Sequence, residues 1–142
     1  MSKFDIVHMS VAAVYSEVSS ARRLKVGCVI VKNNTIIGIG YNGMPSGWDN
    51  NCEDEIRYPD AEGVTLKTKP EVLHAESNAL AKVARSTNSS EGATLYVTHA
   101  PCLECSKLIY QSGINSVFYR NEYRDSAGIN FLHNCQVSVN KI

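Results

Sequence analysis

The chain has 142 residues, 44% of them hydrophobic and 20% charged, which excludes global disorder and suits a single domain over 1–142. Fourteen Lys plus Arg balance fourteen Asp plus Glu, so the basic excess of a general nucleic-acid binder is missing. No apolar run approaches the roughly 20 residues of a membrane span, and the opening MSKFDIVHMS lacks the apolar core of a signal peptide. The expectation is a cytoplasmic protein with no membrane or nucleic-acid partner. Cysteines stand at 28, 52, 102, 105 and 135, an odd number that makes a poor disulfide framework.

In chain order, Phe4, Val7, Val11, Val14, Tyr15 and Val18 recur at spacings of three and four. That spacing predicts an amphipathic helix with this stripe turned inward. VGCVIV (26–31) and TIIGIGY (35–41) read as strands joined at Lys32, Asn33 and Asn34 in a tight hairpin. Residues 42–71 read as a long loop with a short helix near 52–57, and long loops in compact domains are commonly functional. HAESNALAKVAR (74–85) reads as helix, Asn88 to Gly92 as a turn, and TLYVT (94–98) as a strand. Pro101 opens a second helix over 102–112 that stops at Gly113. A strand at 114–119, a short helix at 126–134 and a weak strand at 136–140 follow. This order predicts an α/β layered fold with a mixed sheet, antiparallel at the hairpin and parallel across the helical crossovers.

The chemistry concentrates at His74-Ala75-Glu76 and at Pro101-Cys102-Leu103-Glu104-Cys105. Cys102 and Cys105, three apart on a helix, present both thiols to one side, and a helix N-terminus favours thiolate. One His and two thiolates make three ligands for Zn²⁺, one fewer than a structural site uses. Zinc at such a site activates water at neutral pH. Glu76 is then the general acid/base. On a regular helix His74 and Glu76 project about 200° apart, so both reach one site only if the end of the helix faces the metal.

The order H-x-E, then P-C-x-x-C, is the signature of the zinc nucleobase deaminases. The chain resembles the cytidine-deaminase superfamily from about Val26 to Gly128, through VGCVIV, HAESNAL, TLYVTHAPCLECSKLIYQSGI and VFYRNEYRDS. The GYNGMPSG stretch resembles the deoxycytidylate (dCMP) deaminases within it. That resemblance implies a three-layer fold with a five-stranded mixed sheet flanked by helices. It implies zinc on His74, Cys102 and Cys105, and proton transfer by Glu76. It also implies dCMP as substrate, hydrolysed to dUMP and ammonia to supply thymidylate synthesis. Asn42 would bond the deoxyribose, the Ala75 backbone would meet the pyrimidine, and Tyr123 would sit near the substrate. For the phosphate, Lys25 is first by position, with Arg22, Arg23, Arg120 and Arg124 behind it. Relatives are often hexamers activated by dCTP and inhibited by dTTP. Gly43, Met44, Pro45 and Gly47 match the regulatory loop, where Mg²⁺ could accompany the triphosphate.

Other readings stay open on the residues alone. Cys102 and Cys105 also suit a redox pair, or a structural zinc site with His99 as fourth ligand. Cys52 lies where some relatives hold a second zinc, but Ser19 and Ser20 stand where a partner cysteine would be needed. The substrate could instead be a free nucleoside or an adenosine in tRNA. A non-catalytic zinc-stabilised interaction module is the alternative of a different class.

Overall fold

The computed structural model describes residues 1–142. A five-stranded mixed sheet carries helices on both faces. Its strands are β1 (Gly27–Lys32), β2 (Thr35–Tyr41), β5 (Thr94–His99), β6 (Ser116–Asn121) and β7 (Ser138–Lys141), in the order β2-β1-β5-β6-β7. β1 pairs antiparallel with β2 and β5, while β5–β6 and β6–β7 are parallel. The hairpin and the helical crossovers therefore supply the two parts expected of them. Asn33 and Asn34 both take positive φ, 50° and 58°, which the primed two-residue turns of β-hairpins require and asparagine tolerates.

Strand alternation divides the core. Cys28 and Ile30, Leu95 and Val97, and Val117 and Tyr119 face α2 (Ala75–Ala84), α3 (Leu103–Gln111) and α4 (Ala127–Asn134). Val29, Val31 and Tyr96 face α1 (Lys3–Ser16) alone. Close approach is set at glycines. A β-carbon on Gly40 would strike the Ala75 carbonyl oxygen of α2, and one on Gly27 the Ala12 carbonyl oxygen of α1.

Two expectations are corrected. The apolar stripe of α1 does not face the sheet. His8, Met9, Ala12 and Ser16 are buried, whereas Phe4, Val7, Val14 and Val18 are 46%, 54%, 69% and 55% exposed. Contact with Gly27 demands small residues, so the helix turns Ala12 inward and its β-branched side outward. The segment near 52–57 is not helical. It forms β3 (Glu53–Ile56), paired antiparallel with β4 (Thr65–Thr68) in a separate two-stranded sheet.

Candidate active site

His74 and Cys102 are not the first residues of their helices but the N-caps. Both are extended, with φ/ψ of −78°/152° and −70°/171°. This removes the 200° conflict on α2: His74 leaves the helix before it starts, while Glu76 lies in its first turn. It also corrects the second helix, which begins at Leu103, so only Cys105 of the two thiols lies within it. The N-termini of α2 and α3 converge here, and their dipoles favour anionic sulfur.

His74 Nδ1 lies 3.3 Å from Cys105 Sγ and 3.7 Å from Cys102 Sγ. All three donor atoms fall within 4.8 Å of one another. Tetrahedral zinc with its usual bond lengths separates a sulfur from a nitrogen by about 3.5 Å, so the donor set fits zinc in both chemistry and spacing. His99 is not a member. Its Nδ1 lies 3.1 Å from Thr98 Oγ1, and burial lowers its pKa. The three donors share their protons unequally. Hydrogen bonds from Cys105 and then His74 pull the Cys102 thiol down to about 4. The bond with Cys102, followed by burial, pushes the Cys105 thiol up. The Cys102 thiolate raises the pKa of His74.

Glu76 is buried. Desolvation pushes its carboxyl up to about 7, although its own backbone N–H and His74 both oppose that rise. His74, Glu76 and Cys102 line a cavity of about 560 Å³, together with Ala75, Asn42 and Tyr123. Asn42 Oδ1 accepts the Val26 N–H at 2.9 Å, and its Nδ2 donates to the Leu24 carbonyl at 2.8 Å. The Asn42 side chain thereby clamps residues 24–26 to the end of β2.

The nearby cations divide between the cavity wall and its outside. Leu24 and Val26 line it, and Lys25 between them is exposed and outside the lining. Arg23 and Arg124 line it, whereas Arg22 and Arg120 do not. Arg22 is occupied with Glu55 at 3.0 Å and with Asn51. Gly43, Met44, Pro45 and Gly47 lie outside the lining. Gly43 exchanges both backbone hydrogen bonds with Leu73, at 3.1 and 2.8 Å, which ties this loop to the residue before His74. Cys52 packs with Ala21 and Val72 in a small apolar cluster and joins no group of potential metal ligands.

Sequence reasoning missed Glu53. Its side chain is 1% exposed and lines the cavity. Oε2 accepts the N–H groups of Arg22 and Arg23, at 2.9 and 3.0 Å, while Oε1 is buried without a hydrogen-bond partner. Nothing in the acidic run EDE distinguishes the one carboxylate that turns inward.

Residues 2–121 match the model of the cytidine and deoxycytidylate deaminase zinc-binding region. Human deoxycytidylate deaminase is 39% identical over 122 residues, covering 83% of this chain. The chain spans 65% of the length of that relative. The deoxycytidylate deaminase of Mycobacterium phage D29 is 39% identical over 124 residues, covering 84% of this chain and 95% of that protein. The crystal structure of the dCMP deaminase from cyanophage S-TIM5, in complex with dCMP and dUMP, matches with a TM-score of 0.88 at 43% identity. It covers 100% of this chain and 99% of that one. With the family's region running through both halves of the donor set, the chain belongs to the cytidine and deoxycytidylate deaminase zinc-binding family.

Proposed function

We propose that the chain hydrolyses dCMP to dUMP and ammonia. The observation that carries this reading is one cavity lined by buried Glu76, by two arginines and by His74 and Cys102, which form a donor group with Cys105. Similarity across nearly the full length to a dCMP deaminase solved with dCMP and dUMP supports the choice of substrate.

His74, Cys102 and Cys105 would hold zinc, which when bound supplies Lewis-acid activation of water near neutral pH. Every other part falls to the chain's own residues. Glu76, with its carboxyl near 7, takes a proton from the attacking water and delivers it to N3 of the cytosine. It then serves the departing amine, which leaves as ammonia. A carboxyl poised at neutral pH can give and accept in the same cycle. The Ala75 backbone meets the pyrimidine edge, and Tyr123 borders the base and sugar. The Asn42 amide hydrogen not committed to Leu24 serves the deoxyribose. We assign the phosphate to Arg23 and Arg124, the cations of the cavity wall, in place of Lys25.

The regulatory reading extends to Gly43, Met44, Pro45 and Gly47 as the contact for dCTP as activator and dTTP as inhibitor, with Mg²⁺ on the triphosphate. Its support is the paired bonding of Gly43 to Leu73, a direct mechanical link to His74. A cytoplasmic homohexamer supplying dUMP for thymidylate synthesis completes the proposal. No helix is long and apolar enough to cross a membrane.

The test is ammonia release from dCMP, CMP, deoxycytidine and dCTP by zinc-loaded protein, with and without dCTP or dTTP as effector. Turnover of dCMP, raised by dCTP, is expected. Turnover of deoxycytidine in preference to dCMP would remove the phosphate assignment. Silence on every substrate would favour a polynucleotide substrate or a non-catalytic zinc module.

A further inference from the structure

The β3–β4 ribbon is a sheet of its own, and it meets the cavity through one cross-strand pair. Glu53 and Thr68 stand directly opposite each other on the two strands, and both line the cavity. Directly opposed residues of an antiparallel pair project to the same face.

Together these two side chains grip Arg23 at both ends. Glu53 Oε2 accepts the Arg23 N–H at 3.0 Å, and Thr68 Oγ1 accepts a hydrogen from Arg23 Nη1 at 2.9 Å. Glu53 is fully engaged in this way. Its Oε2 also takes the Arg22 N–H at 2.9 Å, and its Oε1 faces Arg22 Nε at 3.6 Å. A buried carboxylate is costly unless its charge is compensated, and here all the compensation comes from the backbone and side chain of Arg22 and Arg23. Glu53 therefore fixes the segment that carries Arg23. An arginine ordered before its ligand arrives loses less freedom on binding.

Thr68 is placed differently. A hydroxyl has one hydrogen and two lone pairs. Arg23 occupies a lone pair, while the Thr68 hydrogen goes to no acceptor within the chain. Thr68 is only partly buried in the cavity wall. An anion seated on the Arg23 guanidinium lies beside this free hydrogen.

We propose that Thr68 is a phosphate ligand, donating its hydroxyl hydrogen next to Arg23, and that Glu53 is a positioning residue that holds Arg23 for the same phosphate. The inference rests on the reading of the cavity as a dCMP site with its phosphate on Arg23.

The test combines steady-state kinetics on dCMP with calorimetric binding of dUMP, both on zinc-loaded protein. Thr68→Val removes the hydroxyl at nearly constant volume. It is expected to weaken dUMP binding about tenfold, as loss of a hydrogen bond to a charged group does, and to raise KM more than it lowers kcat. Thr68→Ser is expected to recover most of both. Glu53→Gln, verified as folded by far-UV circular dichroism, is expected to weaken dUMP binding in the native background but not in Arg23→Gln, because it acts through Arg23. Native dUMP affinity in Thr68→Val overturns the ligand role of Thr68. So does a loss that Thr68→Ser fails to recover. Additive losses from Glu53→Gln and Arg23→Gln overturn the positioning role. Native protein that neither turns over dCMP nor binds dUMP overturns the underlying reading and this inference with it, whereas native activity with an indifferent Thr68→Val overturns this inference alone.

Discussion

α1 and α2 lean on the β1–β2 hairpin from opposite faces by the same device, yet they treat their apolar residues in opposite ways. Each approaches a strand glycine so closely that a β-carbon would meet helix backbone, at Ala12 for α1 and at Ala75 for α2. Each therefore turns small residues inward. In α2 the small and apolar positions coincide, so Ala75, Ala79 and Val83 are all buried, and the helix reads correctly from its periodicity. In α1 they diverge. Ala12 and Ser16 face the sheet, while the β-branched row faces out. Apolar periodicity alone does not say which face of a helix meets its sheet; where the backbones approach closely, small residues decide it.

The largest effect that would test this contrast lies at the inner end of α2, where close packing serves chemistry. Glu76→Gln is expected to lower turnover about 10²- to 10⁴-fold, the usual worth of a positioned acid/base, without loss of zinc. Ammonia release and metal content on one sample check it. Near-normal turnover would remove the proton-transfer role from Glu76 and leave α2 a packing element like α1.

The next effect concerns stability. Gly40→Val forces a side chain against the Ala75 carbonyl oxygen, a backbone atom that cannot swing aside, and is expected to cost about 1–3 kcal/mol or more. Val14→Ser removes a larger apolar group from α1, but at an exposed position with similar helix propensity, and is expected to cost under about 0.5 kcal/mol in dilute solution. Urea unfolding of both variants decides the matter. If Val14→Ser proved as costly as Gly40→Val, the outward direction of the α1 row would be wrong.

The metal-binding half of the site was legible because its information is local. His74 with Glu76, and Cys102 with Cys105, each fall within four residues at the start of a helix, and the donor chemistry leaves few readings. The rest depends on contacts between distant parts of the chain. Asn42, 16 residues beyond Val26, bonds Leu24 and Val26 at the cavity wall, and Lys25 between them is exposed and outside the lining, while Arg23 is within it. Glu53 turns inward because the N–H groups of Arg22 and Arg23 need an acceptor, 31 and 30 residues away. β3 carries charge on both sides of its alternation, so neither periodicity nor composition marked it as a strand. The sheet itself was legible throughout, because VGCVIV, TIIGIGY and TLYVT are short β-branched runs between clear turns.

A further effect separates α1 from α2 by their polar attachments. α2 starts at the cavity, whereas α1 is pinned to β5 by the Tyr96 hydroxyl, which donates to Asp5 Oδ1 at 2.6 Å, while the Ser2 N–H donates to Asp5 Oδ2 at 2.7 Å. Partial burial works against the Asp5 charge, but the Tyr96 hydroxyl and Ser2 outweigh it and hold the pKa below its ordinary 3.8. A carboxyl whose pKa falls on folding adds stability above its unfolded value and loses it as pH drops through the folded one. Native protein is thus expected to lose this contribution below about pH 4, whereas Asp5→Asn should lack it at neutral pH and lose nothing there on acidification. Tyr96 runs in the other direction: burial, then Asp5, raises its pKa, so its contribution declines as pH climbs past about 10. At neutral pH, Asp5→Asn is expected to cost about 1 kcal/mol, the net worth of a partly exposed hydrogen bond. Urea midpoints of native and Asp5→Asn protein, at neutral pH and near pH 3, check the Asp5 sign. A gap between the two proteins that stayed constant down to pH 3 would mean that the Asp5 charge does not hold α1 to the sheet, and that packing of Met9 and Ala12 alone fixes the direction in which its apolar row points.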